Sequence, residues 1–312
     1  MLFQKKTEFG NLGLIIIDEQ HKFGVKQRME LSKKGGENCD ILVMSATPIP
    51  RTLIMTFYGD MDVSKLTEKP SYRKEIISLS KPEIKINEVI KFIKKEITDK
   101  NQIFWVCPLI DESKKLDYEA AVKKFEYLNK IFTGKVGLIH GSLKNEQKET
   151  VLKNFLDKKI QILVSTTIIE VGIDFPNANV IVIENSNKFG LSQLHQLRGR
   201  VGRSNMQATC ILLYKKNMSE NAKKRINILK STNDGFKIAD EDMKLRGFGD
   251  ILGYKQSGIK EFKLADPIHH EKLFKMAEMN IKEIENKEQN LKKYEPLIKL
   301  YDKAEIINQI DS

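Results

Sequence analysis

The most constraining feature of the sequence is a regular alternation of short apolar segments with longer amphipathic ones, which begins at Lys74. The short segments have the length of buried strands, whereas the longer ones, such as Glu83–Ile97, repeat apolar residues at helical spacing. Strands that alternate with helices of about 10–15 residues form parallel sheets that are covered on both faces. The pattern therefore predicts an α/β fold built on a parallel sheet.

The alternation also predicts where each element lies. The predicted strands are Leu12–Ile17, Ile41–Met44, Ile76–Leu79, Ile103–Ile110, Val136–Ile139, Ile160–Val164, Val180–Ile183 and Thr209–Leu213. The predicted helices are Glu83–Ile97, Tyr118–Phe132, Asn145–Leu156 and Leu191–Leu197. Residues 218–247 predict two more helices separated by Asn233-Asp234-Gly235, and the Lys-rich tail has helical spacing. A polar stretch at 60–75 with Pro70 predicts a linker, so we expect domains at 1–72, 73–216, 217–262 and 263–312.

Composition limits the class of protein. The longest apolar runs, such as Leu14–Ile17, fall far short of the ~20 residues that a membrane span needs, and no secretory leader is apparent. We therefore expect a cytoplasmic protein without a membrane partner. Three widely spaced cysteines, Cys39, Cys107 and Cys210, predict reduced core residues. The net charge of +11 favours a polyanionic partner, but lysines that solvate surfaces explain it equally well.

Acidic and hydroxyl side chains follow two consecutive predicted strands. Asp18-Glu19 comes directly after the first apolar run, and Ser45-Ala46-Thr47-Pro48 ends the second. Because ligands bind beyond the carboxyl ends of parallel strands, an acid pair there can hold Mg²⁺ and orient a water. A helix cap and an ordinary turn are the simpler alternatives for the two segments taken singly.

The segment Gln193–Arg203 concentrates scarce arginine. The chain has eight arginines among 53 basic residues, and three of them, Arg198, Arg200 and Arg203, fall within six residues around two glycines. Guanidinium groups match phosphate oxygens bidentately and stay charged. A solvated basic face in so Lys-rich a chain would more naturally use lysine. We therefore predict that three guanidiniums are presented to phosphate around this turn.

Two further strand ends carry polar residues. His140-Gly141-Ser142 follows one predicted strand, and the stretch from Thr166-Thr167 to Asp174 follows the next. The second stretch includes Gly172 and predicts a loop that faces both a nucleotide and a phosphate backbone. A simple strand-to-helix turn remains an alternative for the first.

Together these motifs resemble those of superfamily 2 helicases. Their individual residues resemble those of the RecG family of bacterial branch-migration helicases. The segments that carry the resemblance are Asp18–Arg28, Ser45–Leu53, Tyr58–Ser64, Val106–Leu116, Phe189–Arg203, Arg246–Asp250, Gln256–Gly258 and Phe262–Asp266. Transcription-repair coupling factors share several boxes, but Tyr58–Ser64 and Val106–Ile110 look like RecG. The resemblance implies a RecA-like carboxyl-terminal motor lobe, preceded by part of the first lobe and followed by a helical hairpin and tail.

The resemblance also implies roles for individual residues. Asp18 would serve Mg²⁺, Glu19 would position the attacking water, and Arg200 and Arg203 would reach the phosphates of ATP. Gly172 and Asp174 would face the nucleotide. The positions that would contact DNA or couple hydrolysis to its movement are Gln20, His21, Ser45, Thr47, His140, Thr166, Thr167, Gln196, Arg246 and Gln256. Branched double-stranded DNA would be the partner.

A nucleotide-binding P-loop is missing from the sequence. Its pattern ends in Gly-Lys-Ser/Thr, but the Gly-Lys here, Gly134-Lys135, is followed by Val136 and has Asn129 in place of the first glycine. The resemblance implies that the chain begins midway through the first motor lobe and lacks the family's wedge domain. We expect no ATP hydrolysis by the chain alone, with a separate polypeptide as one possible source of the missing parts. A catalytically silent nucleic-acid-binding fragment and a coupling-factor-like translocase are the alternatives.

Overall fold

The computed structural model describes residues 7–19, 25–35, 39–45, 63–68, 70–108, 114–166, 177–246 and 270–287, with a few single residues outside these ranges. The described strands are β1 (Leu14–Ile17), β2 (Asp40–Val43), β3 (Ile77–Pro82), β4 (Gln102–Val106), β5 (Val136–Ile139), β6 (Ile162–Ser165), β7 (Ala178–Ile183) and β8 (Thr209–Tyr214). The described α-helices are α1 (Val25–Gly35), α2 (Ile86–Thr98), α3 (Lys114–Ile131), α4 (Asn145–Leu156), α5 (Leu191–Arg198), α6 (Glu220–Ser231), α7 (Gly235–Arg246) and α8 (Glu271–Lys287).

Six strands form one fully parallel sheet in the order β3-β8-β7-β4-β6-β5. The predicted α/β class with a parallel sheet is therefore confirmed. Every residue of β4, β6 and β7 is buried, as expected for strands that are covered on both faces. The sheet consequently separates two apolar layers.

The two layers follow from the alternation of side chains along each strand. On β4, Ile103 and Trp105 join a cluster that includes Val89 and Ile93 of α2 and Leu128 of α3. Phe104 and Val106 point to the other face. The members that the helices contribute to that second cluster include Phe155 of α4, Leu194 of α5, Ile226 of α6 and Ile238 of α7. The sheet therefore has a complete core on each side.

Most predicted boundaries differ from the observed ones by one to four residues, and three elements illustrate these differences. The strand β3 extends to Pro82 because Lys81 and Pro82 pair with Leu213 and Tyr214 of β8. Pro82 is tolerated there since it ends a strand at the margin of the sheet. The strand β4 ends at Val106, short of the predicted Ile110, and residues 109–113 lie outside the described residues. The helix predicted from Glu83 begins as a 3-10 turn and becomes α-helical at Ile86.

A separate two-stranded sheet pairs β1 with β2 in parallel, with Ile17 opposite Val43. Ile15 and Ile17 are buried and pack with Leu31 of α1, whereas Leu14 and Ile16 are 51% and 56% exposed. Among the residues that the structure describes, only one face of this sheet is covered, by the crossover helix α1.

The chain divides into two compact units, and the smaller contains α8. On α8 the apolar residues Leu273, Met276, Met279 and Ile281 are exposed. In the part of the chain that the structure describes, no helix combines the length and apolar character that crossing a bilayer requires.

The three cysteines are free thiols. Cys107 and Cys210 are buried and Cys39 is half-buried, as expected from their apolar neighbours. Burial raises the pKa of Cys210 to about 12. Burial also raises the pKa of Cys107, and the nearby Glu184 carboxylate adds to that shift. Both thiols are therefore inert at neutral pH.

Candidate nucleotide and nucleic-acid site

The predicted acid pair and the predicted hydroxyl box meet at one edge of the two-stranded sheet. Asp18 and Glu19 directly follow β1, and Ser45 lies two residues after β2. The Met44 amide donates to the Ile17 carbonyl at 2.8 Å, so the two strand ends stay side by side. Gln20, His21 and Thr47 lie outside the described residues. The structure therefore joins the described members of these two boxes, as their spacing predicts.

The acid pair suits a cation that is shared with phosphate oxygens. Asp18 is exposed and Glu19 is half-buried, and the Glu19 backbone has a φ of +50°. Residues other than glycine and asparagine rarely adopt that conformation, which recurs at functional sites. Mg²⁺ usually takes one or two carboxylates and completes its shell with water and phosphate. Among the described residues, no group of three or more metal-ligating side chains forms a closed metal site. Asp18 and Glu19 fit an open metal site, in which water and phosphate oxygens supply the remaining ligands.

At the carboxyl edge of the six-stranded sheet, His140 and Thr166 follow neighbouring strands. Ile139 of β5 pairs with Ser165 of β6, so the next residue on each strand emerges at the same height. Both side chains are buried. Desolvation, reinforced by the nearby Lys148 ammonium, lowers the pKa of His140, which favours a neutral imidazole. Thr167, Gly172 and Asp174 lie outside the described residues.

The same edge holds a charged cluster that the sequence analysis missed. Glu184 directly follows β7, and its carboxylate pairs with Lys124 of α3 at 2.6 Å. The Lys124 ammonium also lies 5.4 Å from the Trp105 ring centre and 5.1 Å from that of Tyr127. An acid immediately after a buried strand was the available signal, since the same reasoning singled out Asp18. Lys124 gave no comparable signal, because only tertiary packing brings α3 over this strand end.

The arginine turn lies at the opposite, amino-terminal edge of the six-stranded sheet. The helix α5 runs back from the end of β7, and residues 199–203 then reach the start of that strand. The Gly202 amide donates to the Ala178 carbonyl at 3.4 Å. Gly202 has a φ of +72°, and a side chain there would meet Ala208 at 3.0 Å. Only glycine fits this position, so the turn is fixed by close packing.

The three arginines of this turn do not share one role. Arg200 and Arg203 are half-exposed, whereas Arg198 is only 2% exposed. The prediction that all three guanidiniums are presented around the turn is therefore wrong for Arg198. Leu191 and Leu194 occupy the buried face of α5, and Arg198 falls on that face by helical spacing. Helical spacing from Leu191 and Leu194 could have predicted from the sequence that Arg198 lies on the buried face.

The remaining predicted positions lie on helices or beyond them. Gln196 is half-buried on α5. Arg246 is the last residue of α7, which agrees with the two helices predicted within residues 218–247. Its side chain and the whole of Gln256 lie outside what the structure describes.

This fold and turn define a class of protein. Residues 84–205 match the family model described as helicase conserved C-terminal domain. A second model, described as ATP-dependent DNA helicase RecG, domain 3, C-terminal, matches residues 232–306. The chain thus carries the carboxyl-terminal motor domain of a helicase together with a RecG-type segment.

The similar proteins are RecG helicases. The chain is 49% identical over 286 residues to the ATP-dependent DNA helicase RecG of Thermotoga maritima, and 48% identical over 270 residues to that of Bacillus subtilis. A solved structure of RecG bound to a three-way DNA junction is 46% identical, with a TM-score of 0.65 over 86% of this chain. The chain is similar to the carboxyl-terminal portion of RecG helicases, which confirms the predicted resemblance.

The match covers most of this chain but a minor part of its relatives. It takes in 91% of the chain against Thermotoga maritima RecG and 86% against the Bacillus subtilis protein. The chain spans 36% and 39% of the length of these two relatives, and 34% of the solved RecG chain.

Proposed function

We propose that this chain forms the second motor lobe, with the last strands of the first, of an ATP-dependent helicase that remodels branched double-stranded DNA. The observation that carries the proposal is the arginine turn on a parallel sheet within a chain 46% identical to RecG bound to a three-way junction. The proposed domains are residues 1–72, 73–216, 217–262 and 263–312.

The two halves of the site would act on opposite sides of one nucleotide. Bound ATP and Mg²⁺ supply the transferable phosphoryl group and the charge that neutralises it. Asp18 would hold the cation and Glu19 would orient the attacking water. Arg200 and Arg203, half-exposed on a packed turn, would stabilise the charge that develops on the phosphate.

The carboxyl edge of the six-stranded sheet would serve DNA. His140 and Thr166 lie side by side there, together with the start of the segment that contains Thr167, Gly172 and Asp174. Neutral imidazole and hydroxyl groups can donate to phosphate oxygens without sequence preference. Such contacts would let the motor follow a DNA backbone of any sequence.

The sequence contains no P-loop pattern that could serve as the phosphate cradle. Gly134-Lys135 lies between α3 and β5, so it precedes a strand, whereas a P-loop follows one and opens a helix. The 312-residue chain alone is therefore expected to show no DNA-stimulated ATP hydrolysis.

A chimera tests the proposal. The chain would replace the matching carboxyl-terminal portion of Thermotoga maritima RecG, and phosphate release from ATP would be measured with and without a three-way junction. We expect DNA-stimulated hydrolysis by the chimera and none by the chain alone. A folded chimera without hydrolysis would favour the silent DNA-binding alternative. Stimulated hydrolysis by the chain alone would contradict the proposed division of the site.

A further inference from the structure

The residues that directly follow β7, β4, β6 and β5 form one row at the carboxyl edge of the six-stranded sheet. The last residues of these strands are paired with one another across the sheet. In strand order, the edge row is Glu184, Cys107, Thr166 and His140. The Glu184 amide donates to the Val106 carbonyl at 2.9 Å, so the pairing of β7 with β4 continues into the row. Because neighbouring strands lie about 4.8 Å apart, Glu184 and Thr166 are about 10 Å from each other.

Glu184 is the charged member of the edge row. Desolvation raises the pKa of Cys107 and lowers the pKa of His140, so both side chains favour their neutral forms at neutral pH. A carboxylate repels phosphate, and an edge that serves a DNA backbone therefore needs a cation beside it. Lys124 of α3 supplies one, since its ammonium lies 2.6 Å from the Glu184 carboxylate.

Two aromatic rings hold the same ammonium from the side of the sheet and from α3. The Lys124 Nζ lies 5.4 Å from the ring centre of Trp105 and 5.1 Å from that of Tyr127, within the range of cation–π attraction. Trp105 on β4 is fully buried, so it gives the ammonium a fixed support. A lysine that is held in place before binding loses less side-chain freedom when it meets a ligand.

The ion pair borders solvent and leaves binding capacity for a further acceptor. The side chains of Lys124 and Glu184 are 17% and 14% exposed. An ammonium carries three N–H donors, and one carboxylate does not use them all. Lysine contacts to DNA phosphates need no particular base sequence. The geometry of Lys124 therefore suits a backbone phosphate that approaches the edge row.

We propose that Lys124 contacts a phosphate of the DNA backbone, and that Glu184, Trp105 and Tyr127 are positioning residues for its ammonium. The inference rests on the proposed function, which assigns the carboxyl edge to DNA. It deepens that function by adding a contact on α3, outside the motifs that the sequence analysis singled out.

The test measures binding of a three-way junction to the chimera by fluorescence anisotropy at several salt concentrations. Lys124→Met removes the ammonium and keeps the apolar stem. At about 0.15 M salt, we expect about fivefold weaker binding, and the slope of log K against log salt should fall by about 0.9, the value for one phosphate. Lys123→Met is the matched control, because it removes the same charge from an exposed neighbour on α3. It should weaken binding by less than about twofold, since salt screens exposed charges.

Two further variants separate a direct contact from a general effect of charge. Glu184→Gln keeps the ammonium but releases it, so binding should weaken about threefold, the cost of ordering a free lysine side chain, with an unchanged salt slope. Tighter binding would contradict the positioning role of Glu184. Lys124→Met combined with Glu184→Gln restores the net charge and should still bind as weakly as Lys124→Met alone. A return to the affinity of the unmodified chimera would overturn the contact, because Lys124 would then only neutralise Glu184.

Folding and the host enzyme are checked separately. Thermal unfolding shows whether each variant is folded. Should Lys124→Met fail to fold because it strands the Glu184 carboxylate, the combined variant decides the question by its salt slope. An unmodified chimera without DNA-stimulated hydrolysis would overturn the proposed function and this contact with it. A hydrolysing chimera in which Lys124→Met binds the junction as Lys123→Met does would overturn only the contact.

Discussion

The two sheets of this chain use the same strand–helix alternation but differ in how far they complete a core. In the six-stranded sheet, the central strands are buried at every residue, and helices cover both faces. In the two-stranded sheet, burial alternates along β1, and the outward residues Leu14 and Ile16 remain more than half exposed. Burying both faces of a parallel sheet takes helices on each side, and the two-stranded sheet has a described helix on one side only.

The residues of the proposed nucleotide site are divided between the same two sheets. The acid pair Asp18-Glu19 belongs to the less complete sheet, whereas Arg200 and Arg203 lie on the well-packed one. A site assembled from two such parts is preorganised only when both are rigidly held, and preorganisation is the source of most electrostatic catalysis. In the proposed site, the arginine half belongs to a sheet that is covered on both faces, and the acid half belongs to a sheet whose described helix covers one face.

The largest effects on ATP hydrolysis are expected from substitutions of Arg200 and Arg203. In the chimera, Arg200→Ala or Arg203→Ala should lower DNA-stimulated ATP hydrolysis by about 10³–10⁵. Lysine at either position should restore little, because a point charge cannot replace the planar fork. Single-turnover phosphate release measures the loss, and junction binding in a gel-shift assay should change little. Near-normal hydrolysis in both alanine variants would contradict the assigned role.

The difference in packing predicts a difference in stability. Phe104 is fully buried, and its ring centre lies 5.4 Å from that of Phe155 and 5.5 Å from that of Phe175. Phe104→Ala should lower the free energy of unfolding by about 3–5 kcal/mol, because it leaves a cavity in a close-packed core. Ile16→Ala, on the exposed face of β1, should change it by about 0.5 kcal/mol or less. Urea unfolding followed by circular dichroism measures both, and equal losses would contradict the contrast.

The smallest expected effect is a pH dependence of the free energy of unfolding, which arises from His140 at the edge of the six-stranded sheet. Because desolvation lowers the pKa of His140, the native state binds a proton less readily than the unfolded chain does. The stability that comes from keeping this imidazole neutral is present above about pH 6.5, the unfolded value, and is lost as the pH falls through the folded pKa.

The control for this pH dependence is a variant that cannot titrate. Between about pH 8 and pH 5, the free energy of unfolding should fall less in His140→Gln than in the unmodified chain. Ile16→Ala should follow the unmodified chain throughout, since it leaves His140 in place. A His140→Gln variant with the same pH profile as the unmodified chain would contradict the shift.

The sequence predicted much of the fold because its signals are local. Val136–Ile139 and Asn145–Leu156 were predicted with the observed boundaries, since each apolar run has a clear start and end. The predicted strand from Ile103 followed an apolar run to Ile110, whereas β4 ends at Val106, two residues before Pro108, which has no amide hydrogen to donate to a neighbouring strand. The hydrogen bond from the Ser192 hydroxyl to the Asp242 carboxylate joins residues 50 positions apart, and no local spacing could predict it.

By itself, the sequence predicted the parallel sheet, the resemblance to RecG and the motifs that are proposed to serve phosphate chemistry. Periodicity and motif spacing are properties of residues that are close in sequence, so they can be recognised without knowing how the chain packs. The tertiary structure alone decided which groups these three closely spaced arginines meet. Arg198 turns inward because the carbonyls at the end of α6, which chain folding brings beside it, offset the desolvation of its charge. Arg200 and Arg203 have the same side chain, but they follow the helix on a turn, where both are only partly buried.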